Sequence, residues 1–260
     1  MHHEFRDEIM QAFFLLRFDA TESEAKRLHA VAEEMFDDIR RLEYLLSRFI
    51  EDSDVAQINR LSFGESVIVA PETFRCLELA EEATRLTDGR FDVAYLSPSV
   101  DERQRPFSLL TKPRRVRSEV ESLQIDLGGI GKGFALDHVA PIPLRYGYSR
   151  VLLCADSSTM LALDPPENSP GWTVSVELDG EERQFELNNT AVSCSGTSVR
   201  GEHIFDVKRR VWITQSKRCC QLASSAALAD AFSTAALTND SSAAAKQFCR
   251  FSPLRKEKNE

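Results

Sequence analysis

An α+β fold, with mixed and antiparallel sheets flanked by helices, is what this 260-residue chain predicts. Three observations carry that expectation. Two long segments near the N-terminus repeat apolar residues at helical spacing, strand-type runs cluster between residues 148 and 214, and an alanine-rich helix follows them. With 42% hydrophobic residues the chain can bury a sizeable core. It reads as one unit over residues 1–260, with room for two lobes meeting near 126–137.

The elements follow in order. Phe13 to Phe18 is a short apolar stretch with strand character. From Thr21 to Phe49, Leu28, Val31, Met35, Ile39, Leu42, Leu45 and Leu46 recur at helical spacing, and Thr21 with Glu24 makes a capping-box start. The opposite face carries Glu33, Asp37, Asp38, Arg40 and Arg41 and reads as solvated. Residues 46–60 are polar, with Asp and Ser at turn-forming positions. A turn at 62–65 and a small strand at 66–69 come next. Pro71 opens a second helix, Glu72 to Thr87, with Phe74, Leu77, Leu79, Ala80, Ala83 and Leu86 inward and Gly89 past its end. Residues 97–117 hold Pro98, Pro106, Pro113 and many charges, and read as a loop. Val120 to Leu127 reads as a short strand, and Phe134 to Val139 as a helix. Val151 to Ala155 is a continuous apolar run, as in a buried strand. Trp172 to Leu178 and Gln184 to Leu187 form a hairpin pattern across Asp179-Gly180. Thr190 to Cys194 and Val211 to Thr214 are further short strands. Ser224 to Leu237 is the alanine-rich helix, and the tail after Phe251 reads as frayed.

Charge and composition exclude several classes. A formal net charge of −9 opposes a nucleic acid partner. No apolar run approaches the roughly 18 residues of a membrane span, so no membrane is expected. The N-terminus has no basic segment followed by an apolar one, and a cytoplasmic protein is inferred. The six cysteines show no CxxC spacing. Reduced, partly buried thiols are expected, with Cys219-Cys220 as a redox or metal pair the alternative.

The densest chemistry lies in Asp126-Leu127-Gly128-Gly129-Ile130-Gly131-Lys132-Gly133. Glycines there let the backbone approach a ligand, and successive N–H groups at a helix start can cradle a phosphate. Lys132 adds a point charge, and Asp126 can meet a metal or a sugar hydroxyl. The plainer reading is a strand-to-helix turn with an exposed lysine, and the glycine spacing matches neither a Walker A loop nor GxGxxG. On the last helix Asp230 and Thr234 are four apart and share a face, so both can reach a hard cation such as Mg²⁺. The alternative is a solvated Asp and a Thr bonded to its own helix.

Read together, these stretches resemble the FAD:protein FMN transferase family, the ApbE-type flavin transferases. The resemblance runs from Ser47-Arg48-Phe49 through Asn59-Arg60, Thr87 to Asp92, Asp126 to Gly133, Ser195-Gly196, and His203-Ile204-Phe205-Asp206, to Ala229 to Thr234, in the family's order. It implies an ApbE-like, T-fold-like architecture and a Mg²⁺-dependent reaction on FAD. The pyrophosphate is cut, FMN moves through its phosphate onto a Ser or Thr of an acceptor protein, and AMP leaves. It further implies Gly129 (through its carbonyl), Asp230 and Thr234 as metal ligands, with Ser233 beside them. The FAD-contacting positions would be Met10, Phe49, Arg90, Phe91, Asp92, Asp126, Lys132 and Ile204, with Asn59 and His203 near the site. Lys132 would offset charge at the pyrophosphate, and Asp206 or Asp126 would accept the acceptor's proton. The rival functions are FAD pyrophosphatase activity and non-catalytic flavin or nucleotide binding.

Three departures from the family pattern mark the expected flavin wall. The strand at Val151 continues as Cys154-Ala155-Asp156-Ser157-Ser158 where the family carries a glycine-bearing Asn-Ala-Gly-Gly-Asp. The connection from Val93 to Asp126 is shorter than usual. Met10-Gln11-Ala12 stands for Met-Gly-Thr, and Val207 for a proline.

Overall fold

The computed structural model describes residues 1–98, 105–178, 181–196, 204–214 and 218–238. The chain begins as a hairpin, β1 (His2–Ile9) and β2 (Ala12–Asp19), in register from His2 opposite Asp19 to Ile9 opposite Ala12. β1 is an addition to the sequence reading, because its alternation is of charged residues rather than apolar ones. A single 3-10 turn at Glu22–Glu24, started by the Thr21–Glu24 capping box, leads into helix α1 (Ala25–Leu46). Leu28, Val31, Met35, Ile39 and Leu42 are buried on the expected face. Each such side chain contributes roughly 1.5–3 kcal/mol on leaving water.

Residues 46–60, expected as a turn, hold the short helix α2 (Asp54–Ile58). Ser53 caps it by accepting from the Ala56 N–H at 2.9 Å, and Val55 and Ile58 are fully buried, which a polar reading of the segment overlooks. β3 (Ser66–Ile68) and α3 (Pro71–Leu86) match expectation. The proline- and charge-rich stretch does not: it contains β4 (Phe107–Thr111) and β5 (Arg114–Ser118). β5 lies between β3 and β4 in a three-stranded sheet. Arg114 and Arg117 are exposed and Arg115 half-buried, while Val116 and Ser118 are buried. Residues 120–127 form no strand. There Ile125 pairs with the Asn59 side chain instead of a neighbouring strand.

The second half supplies α4 (Gly131–Val139), α5 (Pro141–Arg145), β6 (Val151–Ala155), β7 (Thr159–Ala162), β8 (Trp172–Leu178), β9 (Glu181–Leu187) and β10 (Thr190–Gly196). Then come β11 (Phe205–Asp206), β12 (Val211–Trp212), β13 (Arg218–Ala223) and α6 (Ala226–Leu237). The expected 172–187 hairpin is present as β8–β9, with Trp172 opposite Leu187; its Asp179-Gly180 turn lies outside the described residues. So does the tail after Phe251.

The main sheet is six-stranded and antiparallel, ordered β1-β2-β6-β7-β10-β13. One face carries Phe14, Leu16, Phe18, Val151 and Leu153 into the core formed with α1, α3, α4 and α6. The other face carries Leu152, Cys154, Met160, Val192 and Cys194 against the β8–β9 hairpin. That second face forms a wall of the cleft described below. The expectation of reduced thiols is corrected at one pair: Cys194 and Cys220, directly opposite in the β10–β13 register, form a disulfide. Cys76, Cys154 and Cys219 remain thiols, so Cys219 and Cys220 are not bonded to each other.

Candidate active site

The glycine-rich segment enters its site held from both sides. Asn59 clamps Ile125, donating to its carbonyl at 2.9 Å and accepting from its N–H at 2.7 Å. The next N–H, of Asp126, donates to the Val93 carbonyl at 2.8 Å. The Asp126 carboxylate is thereby fixed in the cleft. It accepts from the Gly128 N–H at 2.8 Å and the Tyr95 hydroxyl at 3.1 Å, with Arg48 Nη1 at 3.5 Å. Burial, and then the charge of Asp126, push the Tyr95 hydroxyl up to about 12. Tyr95 therefore stays a donor through the neutral range.

Close approach restricts two glycines, tightly at one and absolutely at the other. A Cβ on Gly129 would lie 3.0 Å from Phe91 Cε2 and 3.3 Å from Thr234 Oγ1. A Cβ on Gly133 would lie 2.2 Å from the Ala226 carbonyl oxygen, a contact no side chain tolerates. The first turn of α4 is thus pressed onto the first turn of α6. Asp137, near the end of α4, completes the joint by accepting from the Ala226 and Ala227 N–H groups and the Ser225 hydroxyl.

On α6, Asp230 is 5% exposed. Its carboxylate accepts from the Gly133 N–H and the Ser193 hydroxyl, both at 3.3 Å, and among the described residues no Lys or Arg pairs with it. A buried carboxylate with only long neutral donors leaves charge uncompensated, which a cation would relieve. The nearby donors are hydroxyl oxygens: Thr234, with Ser195 3.2 Å from it, and the Gly129 backbone lies alongside. An oxygen-only set suits Mg²⁺. Among the described residues no cluster of three His, Cys, Asp or Glu could hold a metal, so such a site rests on one carboxylate and neutral oxygens.

These groups open onto a cleft of about 1590 Å³. Of the residues singled out in the sequence, Phe49, Arg90, Phe91, Asp92, Asp126, Gly129, Lys132, Ile204, Asp230 and Thr234 line it. Asp92 is held above the usual carboxylate range by burial, which the Ala94 N–H bond opposes. Opposite stand Leu15, Leu152, Cys154 and Met160 of the main sheet and Thr173 to Ser175 of the hairpin. The altered loop also faces the cleft with Asp156, Ser157 and Ser158. Asp156, at φ 52°, is stitched to β2: its N–H donates to the Phe13 carbonyl and its carboxylate accepts from the Phe13 N–H, each at 2.8 Å.

Four expected residues stand off the wall. Met10 sits at the β1–β2 turn with φ 55°, its N–H bonded to Glu43. Asn59 is spent on Ile125. Asp206, 3% exposed, accepts from the Arg209 N–H at 3.0 Å and pairs with that guanidinium at 3.5 Å, which ties the β11–β12 turn. Ser233 is fully buried, with Ser195 2.6 Å away and its hydroxyl donating to the Asp230 carbonyl. His203 lies outside the described residues. The sequence reading in turn missed an aromatic cluster. Tyr95 stacks on Phe205 at 5.4 Å between ring centroids, and Trp212 meets Phe205 edge-on at 5.2 Å. Arg48, quoted in its motif but given no role, lies with its guanidinium 4.7 Å over the Phe49 ring.

This architecture is that of solved flavin transferases. The chain superposes on a point mutant of the Vibrio cholerae flavin transferase ApbE with a TM-score of 0.78 at 16% identity, over 92% of this chain and 87% of that one. Pseudomonas stutzeri flavinyl transferase ApbE gives 0.77 at 20% over 92% and 84%, and the Thermotoga maritima ApbE protein 0.76 at 24% over 92% and 87%. In sequence, the chain is 20% identical over 235 residues to a FAD:protein FMN transferase of Buchnera aphidicola, across 75% of this chain and 68% of that protein. The ApbE family model matches residues 10–253, so the chain belongs to the ApbE family.

Proposed function

We propose that this protein is a Mg²⁺-dependent FAD:protein FMN transferase. It moves FMN from FAD, through its phosphate, onto a Ser or Thr hydroxyl of an acceptor protein and releases AMP. The observation that carries the reading is the joint of α4 and α6, which brings Lys132, the Gly129 backbone, Asp230 and Thr234 to one cleft with Asp126. Phosphoryl transfer is catalysed mainly by positioning and by neutralising charge. Bound Mg²⁺ supplies that neutralisation. Asp230, Thr234 and the Gly129 carbonyl are the groups that would hold the cation, and Lys132 would meet the pyrophosphate as a point charge. The acceptor oxygen forms a bond to the FMN phosphorus as the bond to the AMP oxygen breaks. Of the two carboxylates weighed for the hydroxyl's proton, Asp126 faces the cleft while Asp206 is held in its own turn, so Asp126 takes that role. The Cys194–Cys220 disulfide favours an oxidising compartment over the cytoplasm.

The test is incubation with FAD, Mg²⁺ and added protein, reading AMP and covalently bound flavin fluorescence in a denaturing gel. AMP together with flavin-labelled protein supports the transferase. AMP without label means water is the acceptor and the enzyme is a FAD pyrophosphatase, and no AMP means a binding protein.

A further inference from the structure

Asp137 does more than a helix cap needs. Gly133 and Asp137 are four apart on α4, so they share the face turned to α6. The Asp137 carboxylate accepts three bonds from the start of α6, from the Ala226 N–H at 2.8 Å, the Ala227 N–H at 2.9 Å and the Ser225 hydroxyl at 2.7 Å. One turn further along α6 stands Asp230, whose carboxylate accepts the Gly133 N–H of α4. The two helices are thus closed into a ring, with Asp137 at one side and the Asp230–Gly133 contact at the other.

Helix α6 has support of its own besides Asp137. Ser225 already accepts from the Leu228 N–H, and Ala229, Phe232 and Ala235 bury the helix in the core. What the three bonds add is registration: the depth and rotation of α6 against α4.

We propose that Asp137 is a positioning residue for the reaction. It sets the spacing between Lys132 and Gly129 on one helix start and Asp230 and Thr234 on the other, and so presets the cation site. The inference rests on the reading of that site given above.

The test is Mn²⁺ binding to the full chain without FAD, followed by the paramagnetic resonance of free Mn²⁺. Wild type is compared with Asp137→Ala, Asp137→Asn, Asp230→Ala and Val116→Ala. Val116 is fully buried in the three-stranded sheet, so its truncation destabilises the protein away from α4 and α6. Asp137→Ala should bind Mn²⁺ about tenfold or more weakly, the scale of an outer partner of a metal ligand. Asp137→Asn, which keeps one acceptor oxygen, should fall between, and it carries the test if the alanine variant does not fold. Val116→Ala should bind as wild type does. In turnover, the Mg²⁺ concentration for half-maximal rate should rise in both Asp137 variants more than the maximal rate falls. Wild-type Mn²⁺ affinity in both Asp137 variants, or a loss matched by Val116→Ala, overturns the inference while leaving the cation site standing. Wild type binding no better than Asp230→Ala overturns the cation site, and this inference with it.

Discussion

The cleft has two unlike sides. The α4–α6 joint is close-packed: Gly133 lies against the Ala226 backbone with no room for a methyl group, Gly129 lies against the Phe91 and Thr234 side chains with little, and Asp230 is held between Gly133 and Ser193. Elsewhere the wall is made of rings and loop side chains. Phe49 is 75% exposed with Arg48 laid over it, Trp212 is 41% exposed, and Asp156, Ser157 and Ser158 face the cleft. The difference follows from what each side must do. Stabilising charge on phosphate requires fixed distances, whereas a ring system can be held by any apolar surface of suitable shape.

The largest effect is expected at the joint. Asp230→Ala should lower Mg²⁺-dependent AMP release by at least about a hundredfold, the scale of losing one electrostatic stabiliser, with the circular dichroism spectrum retained. Full activity at limiting Mg²⁺ would break the contrast, because the joint would then not be where charge is handled. A smaller effect is expected on the wall. Phe49→Ala should weaken FAD and riboflavin together by about two- to tenfold, corresponding to roughly 0.5–1.5 kcal/mol for an aromatic contact, and leave ADP unchanged in a fluorescence or calorimetric titration. A loss confined to the phosphate-bearing ligands would place Phe49 with the joint instead.

Tyr95→Phe should do least. It removes one hydrogen bond to Asp126, worth roughly 0.5–1.5 kcal/mol, and keeps the stack on Phe205. Its pH dependence sharpens the assignment. The folded-state value near 12 lies above the ordinary tyrosine value of about 10. The associated stabilisation is therefore full below about pH 10 and is lost as pH rises through about 12. Thermal unfolding of wild type and Tyr95→Phe should differ by a constant amount across neutral pH, and the wild-type advantage should shrink once pH rises above about 10.

The same two-sided split decides what could be read from the residues alone. Lys132, Asp230 and Thr234 stand in compact local patterns, a glycine-rich helix start and an i, i+4 pair, whose spacing already states their geometry. Phe205 and Trp212 face each other across the short β11–β12 pair, but Tyr95 comes from a segment far away in sequence and joins them only through tertiary packing. Cys194 and Cys220 are 26 residues apart and meet through the β10–β13 register, which no spacing rule announces. β4 and β5 were hidden because Arg114, Arg115 and Arg117 mask the alternation of Phe107, Val116 and Ser118. Asp206 and Ser233 sit in the right motifs, yet hydrogen bonds of their own turn and helix hold them off the cleft wall.

The most direct test of the account uses Lys132→Met, which keeps the stem and removes the charge at the joint. FAD, ADP and riboflavin are titrated against wild type and variant at one salt concentration. A charge-assisted contact to phosphate is worth roughly 1.5–3 kcal/mol, so FAD and ADP should each lose about ten- to a hundredfold in affinity while riboflavin, which has no phosphate, loses almost nothing. Equal affinities in variant and wild type for all three ligands, or equal weakening of riboflavin and FAD, would contradict the assignment of this corner to the pyrophosphate.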